Sequence, residues 1–490
     1  MLTGLLPAAG RGLRFGRAGY IKELFPLLGA DEDAAPTPLC ELALRAVRDA
    51  GARRCVVVVS PEKAEVLRVL GSGESVGVPL GFVVQEVPEG LAHAVRCARP
   101  WLGDDDVALF EEIDRDEEAR QVEEGKGWLA TRAAANLHWI SGPTDLGGRG
   151  LSRAHDALYR SLEARYVVPP QSFFGIGFGM VAPTILAHGQ PETLAYLPKM
   201  YGGELVGCQL FSEPGAGSDL AGLTTRAERD GDEWIVTGQK VWTSGAHYSD
   251  LGEIICRTDP DLPKHKGLTY FVVDMHAPGV DVRPLRQMTG EAEFNEVYFT
   301  DVRIPDAEML GKPGDGWRVS LTTLMNERVS IGGAIPPKGS GTIAALVGVW
   351  QDLPADRRSA ADRDRVMRLW IRAEILRLTN IRASQMRTMG DPGPEGSIGK
   401  LAMAEVNKDI FACAVDLLGA AGMLYGDYTM KRPERTMDLS TPQKAFLRMR
   451  ANSIEGGTTE VMKNILGERV LGLPGDVRVD RDLPWSQVPR

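Results

Sequence analysis

Hydrophobic positions fall into distinct regimes along the chain. Over residues 1–107, compact apolar runs at Leu2 to Ala8, Cys55 to Val59 and Leu80 to Val84 alternate with helical spacing at Leu39 to Ala50. This is the pattern of an α/β segment. From about Glu111 to residue 206 the spacing is helical, entered through the acid-rich run Glu111 to Glu124 and interrupted at Gly147-Gly148-Arg149-Gly150. Between about 207 and 310, β-branched and aromatic residues predict strands at Trp234 to Gly238, Leu268 to Asp274 and Val297 to Ile304. Helical spacing then returns in Trp317 to Ile331, Ala361 to Gly390 and Ile398 to Leu418. The expected organisation is an α/β segment over 1–107, a helical domain over 111–206, a β domain over 207–310, a helical bundle over 311–474 and a tail over 475–490.

The 490 residues exceed what one hydrophobic core usually serves, so several domains are expected. A net charge of −10 argues against nucleic acid or an anionic membrane as the main partner. No apolar stretch reaches the ~18–20 residues a membrane helix needs. Met1 to Gly12 lacks the charged start and long apolar middle of a signal peptide, so a cytoplasmic protein is expected. The six cysteines are widely spaced and form no CxxC pair, which suits reduced, buried thiols. The seven histidines show neither HxxxH nor HExxH spacing, and no metal site is expected.

Near the start, Gly10, Gly12 and Gly16 form G-x-G-x-x-x-G, which departs from the dinucleotide-binding G-x-G-x-x-G. The wider pattern is LPAAGRGLRFG, then Lys22 and Pro26, then VVQEVPEGLAHAV at 83–95. Together these resemble the first half of the sugar-nucleotide transferases. The resemblance implies a glycine loop around nucleotide phosphates, charge binding by Arg14 and Lys22, and a base near Gln85. It ends at about Phe110, before the magnesium-binding aspartate and the sugar-binding half of that family. Asp114 stands in an acid-rich helical setting that reads as a solvated helix or linker, so a complete transferase is not expected.

The richest stretch is Gln209 to Leu223, QLFSEPGAGSDLAGL, followed by Trp242 to Ala246, WTSGA. An apolar run delivers Ser212 and Glu213 to a Pro-Gly turn, and Gly215 and Gly217 expose backbone that an anionic ligand can approach closely. Taken alone, such a turn is an ordinary surface connection, and Trp242 alone is an ordinary core aromatic. With GGRGLS at 147–152, GQKVWTSGA at 238–246, MTGEAEFNEVYFTDVRIP at 288–305 and EGGTTEVMKNILGERVLGLP at 455–474, however, the run resembles the acyl-CoA dehydrogenase family across residues 111–490.

That resemblance implies an all-α domain, a β-barrel and a four-helix bundle, with FAD as cofactor and an acyl-CoA as substrate. The implied reaction is α,β-dehydrogenation to the trans-2-enoyl-CoA, a carboxylate taking the α proton while the β hydrogen leaves as hydride to flavin N5. Flavin contacts carry over to Gln209, Leu210, Phe211, Ser212, Gly217, Ser218, Trp242, Thr243 and Ser244, and Thr458 and Glu460 carry over to a loop near the ribityl and phosphates. Ser218 also faces the CoA. The base carries over to Glu327, within the Asn326-Glu327-Arg328 sequence, with Glu455 as the alternative. Arg328 tunes that carboxylate, and the Gly456 N–H donates to the thioester carbonyl. An electron-transfer flavoprotein is the implied acceptor, and a homodimer or homotetramer the implied assembly. The chain departs from the family in three places. The transferase-like segment stands where leading helices are usual, GGAIPPKGSG follows Ile331 where R-x-x-F-G is common, and Asp416 precedes Leu417-Leu418-Gly419-Ala420 where a glutamine is frequent. Nucleotide or transferase activity of the first segment, or a fusion with neither activity, are the alternative readings.

Overall fold

A computed structural model describes residues 52–61, 64–85, 115–333, 335–388, 395–424, 441–475 and 480–488, and short isolated stretches elsewhere in the first 108. The chain divides into two compact units, Met1–Glu112 and Ile113–Arg490.

In the first unit, β1 (Thr3–Pro7), β2 (Arg54–Val59), β3 (Leu80–Val84) and β4 (Val107–Ala108) form a parallel sheet in the order β3-β2-β1-β4. Cys55 through Val59 are all buried, as befits an inner parallel strand covered on both faces. Cys55, Val57 and Val59 pack with Val66 and Leu70 of helix α1 (Ala64–Leu70). Gly10, Gly12, Arg14, Gly16, Lys22 and Asp114 lie outside the described residues.

The second unit begins with helices α2 (Arg115–Ala134), α3 (Arg153–Glu163), α4 (Ala182–His188), α5 (Pro191–Leu194) and α6 (Tyr196–Tyr201). An eight-stranded sheet follows: β5 (Gly207–Leu210), β6 (Arg226–Asp230), β7 (Glu233–Ser244), β8 (Leu251–Arg257), β9 (Leu268–Asp274), β10 (Val280–Leu285), β11 (Phe294–Pro305) and β12 (Met309–Leu310). Its order is β10-β11-β7-β6-β8-β9-β12, with β5 paired alongside β8. Alternation along β8 explains why the whole strand is buried. Ile254 and Cys256 join Phe271, Val297 and Phe299 in one core, while Leu251 and Ile255 join Ile185, Leu197 and Val319 in another. Each fully buried aliphatic or aromatic side chain contributes about 1.5–3 kcal/mol, so this sheet is held from both faces.

The chain ends in helices α7 (Gly316–Gly332), α8 (Thr342–Asp352), α9 (Ala360–Thr388), α10 (Glu395–Leu418), α11 (Pro442–Arg448) and α12 (Thr459–Arg469). Ile343, Leu346, Val366, Leu369, Ile410, Phe411 and Met449 form their core. Among the described residues, no helix is long and apolar enough to cross a membrane.

Two differences from the expected elements matter for the site. The strand expected to stop at Gly238 runs on to Ser244, so the WTS motif lies on a strand and the chain turns only at Gly245 (φ 64°). Helices α8, α11 and α12 were not expected. The short α11 starts on a Thr441-Pro442 cap, a signal outweighed by the surrounding polar residues. Phe173 and Phe174 are buried in a core with Val122 and Leu129 of α2.

Candidate active site

The run at 209–223 begins on β5, where Gln209 and Leu210 pair with Glu253 and Ile254 of β8. Beyond the strand, the Ser212 carbonyl accepts a hydrogen bond from Val241 N at 2.8 Å, which sets Ser212 beside the end of β7. Glu213 then turns inward. Its carboxylate accepts from Lys240 Nζ (2.9 Å), Thr224 N (2.7 Å), Thr224 Oγ1 (2.7 Å) and Thr225 N (2.9 Å), and Lys240 also donates to the Phe211 carbonyl (3.1 Å). Burial pushes the Glu213 carboxyl up, but Lys240 and the Thr224 and Thr225 donors hold it at about 2. This buried pair ties the two motif segments together.

Glu213 and Ala216 exchange backbone hydrogen bonds of 2.9 and 3.1 Å across the turn. Gly215 and Gly217 have ordinary φ, and a Cβ on either would meet nothing within 4 Å. Neither backbone conformation nor the chain's own packing therefore calls for glycine here, and the open room in front of the turn is what a ligand would use. Ser218 is exposed in the same turn.

Opposite Glu296, the β7–β11 ladder shifts register so that Val241 and Trp242 face one residue. Trp242 takes φ 61° in this bulge, a conformation costing about 1–2 kcal/mol for a non-glycine residue. The bulge re-aims the indole outward. Trp242 is 55 % exposed, edge-on to Phe294 at 5.6 Å between ring centroids. Ser244 shares its face, and its hydroxyl makes no hydrogen bond among the described residues. Thr243 points inward with its Oγ1 buried and unpartnered, while its carbonyl accepts from Asn295 Nδ2 at 3.0 Å.

The C-terminal loop reaches the end of β7 through a chain of charges. Gly245 N donates to the Glu293 carbonyl at 3.1 Å, and Arg448 lies 3.6 Å from the Glu293 carboxylate. Burial lifts the Glu293 carboxyl to about 7 against the pull of Arg448. Beside them, Lys444 pairs with Glu291. Arg448 also donates to both oxygens of Glu455 at 3.3 and 3.1 Å, and Asn452 Nδ2 donates to Glu455 Oε1 at 2.6 Å. Gly456 and Gly457 follow with φ 63° and 95°, a left-handed pair that only glycine takes readily. Thr458 caps α12, accepting from Val461 N at 3.1 Å, and Glu460 is exposed in the first turn.

Glu327 stands on α7, half-buried, one turn beyond the fully buried Thr323. Its charge acts on Glu253, on Tyr270 and on Lys400. The Arg328 side chain lies outside the described residues. The acid at Asp416 is offset by Arg365, which donates to it at 2.7 Å. Sequence reasoning did not assign roles to Lys240, Glu253, Glu293, Lys400 or Arg448. Glu293 and Lys240 lie inside the quoted motifs, whereas Arg448 sits in a short helix that offers no signal.

An outward indole beside an unbonded hydroxyl, a glycine turn with open room and a buried orphan hydroxyl one residue away fit the planar, heteroatom-rich flavin of FAD. Fold and site together define a flavoprotein oxidoreductase. Residues 208–302 match the acyl-CoA dehydrogenase middle-domain family, and residues 314–471 match the acyl-CoA dehydrogenase C-terminal-domain family. Acyl-CoA dehydrogenase IpdE1 of Mycobacterium tuberculosis is 36 % identical over 411 residues, covering 81 % of this chain and all of the relative. Among solved structures, the ChsE4-ChsE5 complex from Mycobacterium tuberculosis superposes with TM-score 0.60 at 27 % identity, covering 78 % of this chain and 97 % of the other. A steroid ACAD, Tcur3481-Tcur3483, gives TM-score 0.59 at 27 % identity over 74 % of this chain and 94 % of the other.

The chain belongs to the acyl-CoA dehydrogenase family. It is an FAD-dependent oxidoreductase that desaturates an acyl-CoA thioester between Cα and Cβ.

Proposed function

We propose that Glu327 is the base that removes the α proton, and that Ser212, Trp242 and Ser244 clamp the flavin. One observation carries the choice of base. Both oxygens of Glu455 are engaged by Arg448 and Asn452, which makes Glu455 a brace of the loop. Bound FAD would supply the two-electron acceptor for the β hydrogen. Gln209 to Phe211 would lie along its edge, and Thr458 and Glu460 near its ribityl and phosphates. Gly217 and Ser218 would face the phosphates and the CoA. The Gly456 N–H would donate to the thioester oxygen as negative charge develops there, with Arg328 tuning the base. Purified protein, yellow with flavin, should bleach anaerobically with acyl-CoA thioesters; straight-chain and steroid thioesters both belong in the series, given the similarity to a steroid ACAD. E327Q should abolish bleaching while E455Q retains it. The reverse result would move the base to Glu455.

An electron-transfer flavoprotein is the inferred acceptor, and a homodimer or homotetramer the inferred assembly. Support for assembly comes from Met367, Ile371, Ile375 and Leu378, exposed at helical spacing on α9. ChsE4-ChsE5 is itself a complex, so an assembly of two different chains is the alternative outcome of a native-mass measurement.

A second observation favours a nucleotide site in residues 1–107, of the sugar-nucleotide transferase kind. The parallel order β3-β2-β1-β4 reverses direction at β1, and the stretch bearing Gly10, Gly12 and Gly16 follows β1 directly in sequence. Ligands of open parallel sheets bind at such reversals. Calorimetric titration with nucleoside triphosphate and magnesium tests it, and absence of heat at millimolar concentration would remove the reading.

A further inference from the structure

Gly456 and Gly457 form a left-handed pair with no side chains to hold its conformation, so the loop takes its shape from what grips it on either side. On the far side, Thr458 caps α12 and Lys400 Nζ donates to the Gly457 carbonyl. On the near side the grip is Glu455. Its backbone N donates to the Ala451 carbonyl at 2.9 Å, and its carboxylate accepts from Arg448 and from Asn452 Nδ2.

Asn452 is fully buried and is the joint of a longer chain of hydrogen bonds. A carboxylate only accepts, so Asn452 must turn its Nδ2 toward Glu455 and its Oδ1 away. That oxygen accepts from Asn407 Nδ2 of α10 at 3.2 Å, and Asn407 in turn offers its Oδ1 to Thr342 Oγ1, at the start of α8, at 2.9 Å. Both amide orientations are thereby set from the Glu455 end, and hydrogen bonds linked in this way reinforce one another away from water. Arg448 extends the chain in the other direction, lying 3.6 Å from Glu293 just before β11. Two bundle helices and the sheet thus meet on the one carboxylate that precedes the glycine pair.

We propose that Asn452 is a positioning residue for the dehydrogenation: by orienting Glu455 against Arg448 it sets the direction of the Gly456 N–H that follows, and the Asn407 and Thr342 arm ties that direction to the packing of α8 on α10. The inference rests on the reading that Glu455 is a brace and that the Gly456 N–H binds the thioester oxygen. A donor to a developing oxyanion works only when aimed, so loss of aim shows in the chemical step more than in binding.

The test uses flavin-loaded wild type, N452A, N407A, E455A and E455Q. Anaerobic bleaching against thioester concentration gives a limiting rate and a half-saturating concentration for each. N452A and E455A should lose about tenfold in limiting rate while half-saturation stays within about threefold of wild type, and N407A should lose about threefold. E455Q keeps an oxygen for each donor and should lose less than E455A. The N452A/E455A double variant should fall no further than the slower single one, because both act through one contact. The aim of the N–H is read by residue-resolved hydrogen exchange at Gly456 with the enoyl-CoA thioester bound, compared with the corresponding CoA thioether, which has no carbonyl oxygen. In wild type only the thioester should protect Gly456, and in N452A that carbonyl-dependent protection should shrink.

Wild-type limiting rate and protection in N452A overturn the proposal, as does an N452A effect confined to half-saturation or an additive loss in the double variant. Should N452A not hold flavin, E455A and N407A carry the same comparison, and wild-type rate and protection in both overturn it. No carbonyl-dependent protection in wild type overturns the Gly456 reading and the proposal with it, a result distinct from protection that is present in wild type and unchanged in the variants. Complete loss of bleaching in E455Q while E327Q still bleaches makes Glu455 the base and overturns the brace.

Discussion

Replacing Glu253 by Gln should make the protein more stable, and increasingly so as the pH rises. Glu253 is fully buried on β8, on the face shared with Leu251 and Ile255; neither carboxyl oxygen has a partner within hydrogen-bond distance, and the Tyr270, Thr184 and Thr323 hydroxyls are near enough only to offset part of the cost of burial. The nearby hydroxyls satisfy one another, Tyr270 with Thr323 at 3.0 Å and Thr323 with Thr184 at 2.8 Å. The groups facing it are Tyr270 from β9, Thr184 from α4, Thr323 and Glu327 from α7 and, from β5, Cys208, whose thiol burial pushes up to about 12. None supplies a positive charge. Burial thus raises the carboxyl from 4.5 to about 8, and the Glu327 charge adds to the rise. The folded state holds its proton where the unfolded state has lost it, so this residue's contribution is fully present below pH 4.5 and is lost as pH rises through about 8. At ~1.4 kcal/mol per unit, the wild type loses on the order of 3 kcal/mol by pH 7 relative to pH 4.5, and up to about 5 kcal/mol by pH 8.5. Glutamine keeps shape and polarity but does not titrate. Melting temperatures of E253Q and wild type should coincide near pH 5 and separate by several degrees, variant higher, by pH 8. Curves that stay parallel from pH 5 to 8.5 would show that Glu253 is not held neutral by burial, and the argument would fail.

Two further substitutions probe the clamp. E213Q leaves Lys240 buried without its counter-ion and should cost about 3–5 kcal/mol at pH 7, with flavin lost on gel filtration; because the Glu213 pKa is lowered to about 2, the gap to wild type should narrow as pH falls from about 4.5 toward 2, read by denaturant midpoints. W242A removes an exposed ring from a bulge that strains it, so it should weaken flavin retention at least tenfold by equilibrium dialysis while the flavin-free protein melts within about 2 °C of wild type.

Much of the fold was legible because it is written in local patterns. β9 falls where its unbroken apolar run predicted it, and α9 and α10 follow their helical spacing within a few residues. The segments of the proposed clamp stand out for another reason: Ser212, Trp242 and Ser244 belong to two short motifs, which meet where the Ser212 carbonyl accepts from Val241 N. What the sequence did not disclose is how those motifs are braced, since Glu213 meets Lys240 only after the intervening β6 hairpin closes, and Arg448 meets Glu293 only when a bundle helix docks on the sheet. The bulge at Trp242 was equally hidden, because it arises from a register shift against β11 and leaves no mark on β7 itself.

The hidden contacts have a common physical character. Each is a charge or carboxyl removed from water at a junction between elements, and its state follows from partners that are remote in sequence. Glu213 stays ionised because Lys240 and the Thr224 and Thr225 donors surround it, whereas Glu253, equally buried on β8, is driven neutral because no cation faces it. Identical side chains thus acquire opposite protonation within one domain, one in the turn after β5 and one on the strand that pairs with β5.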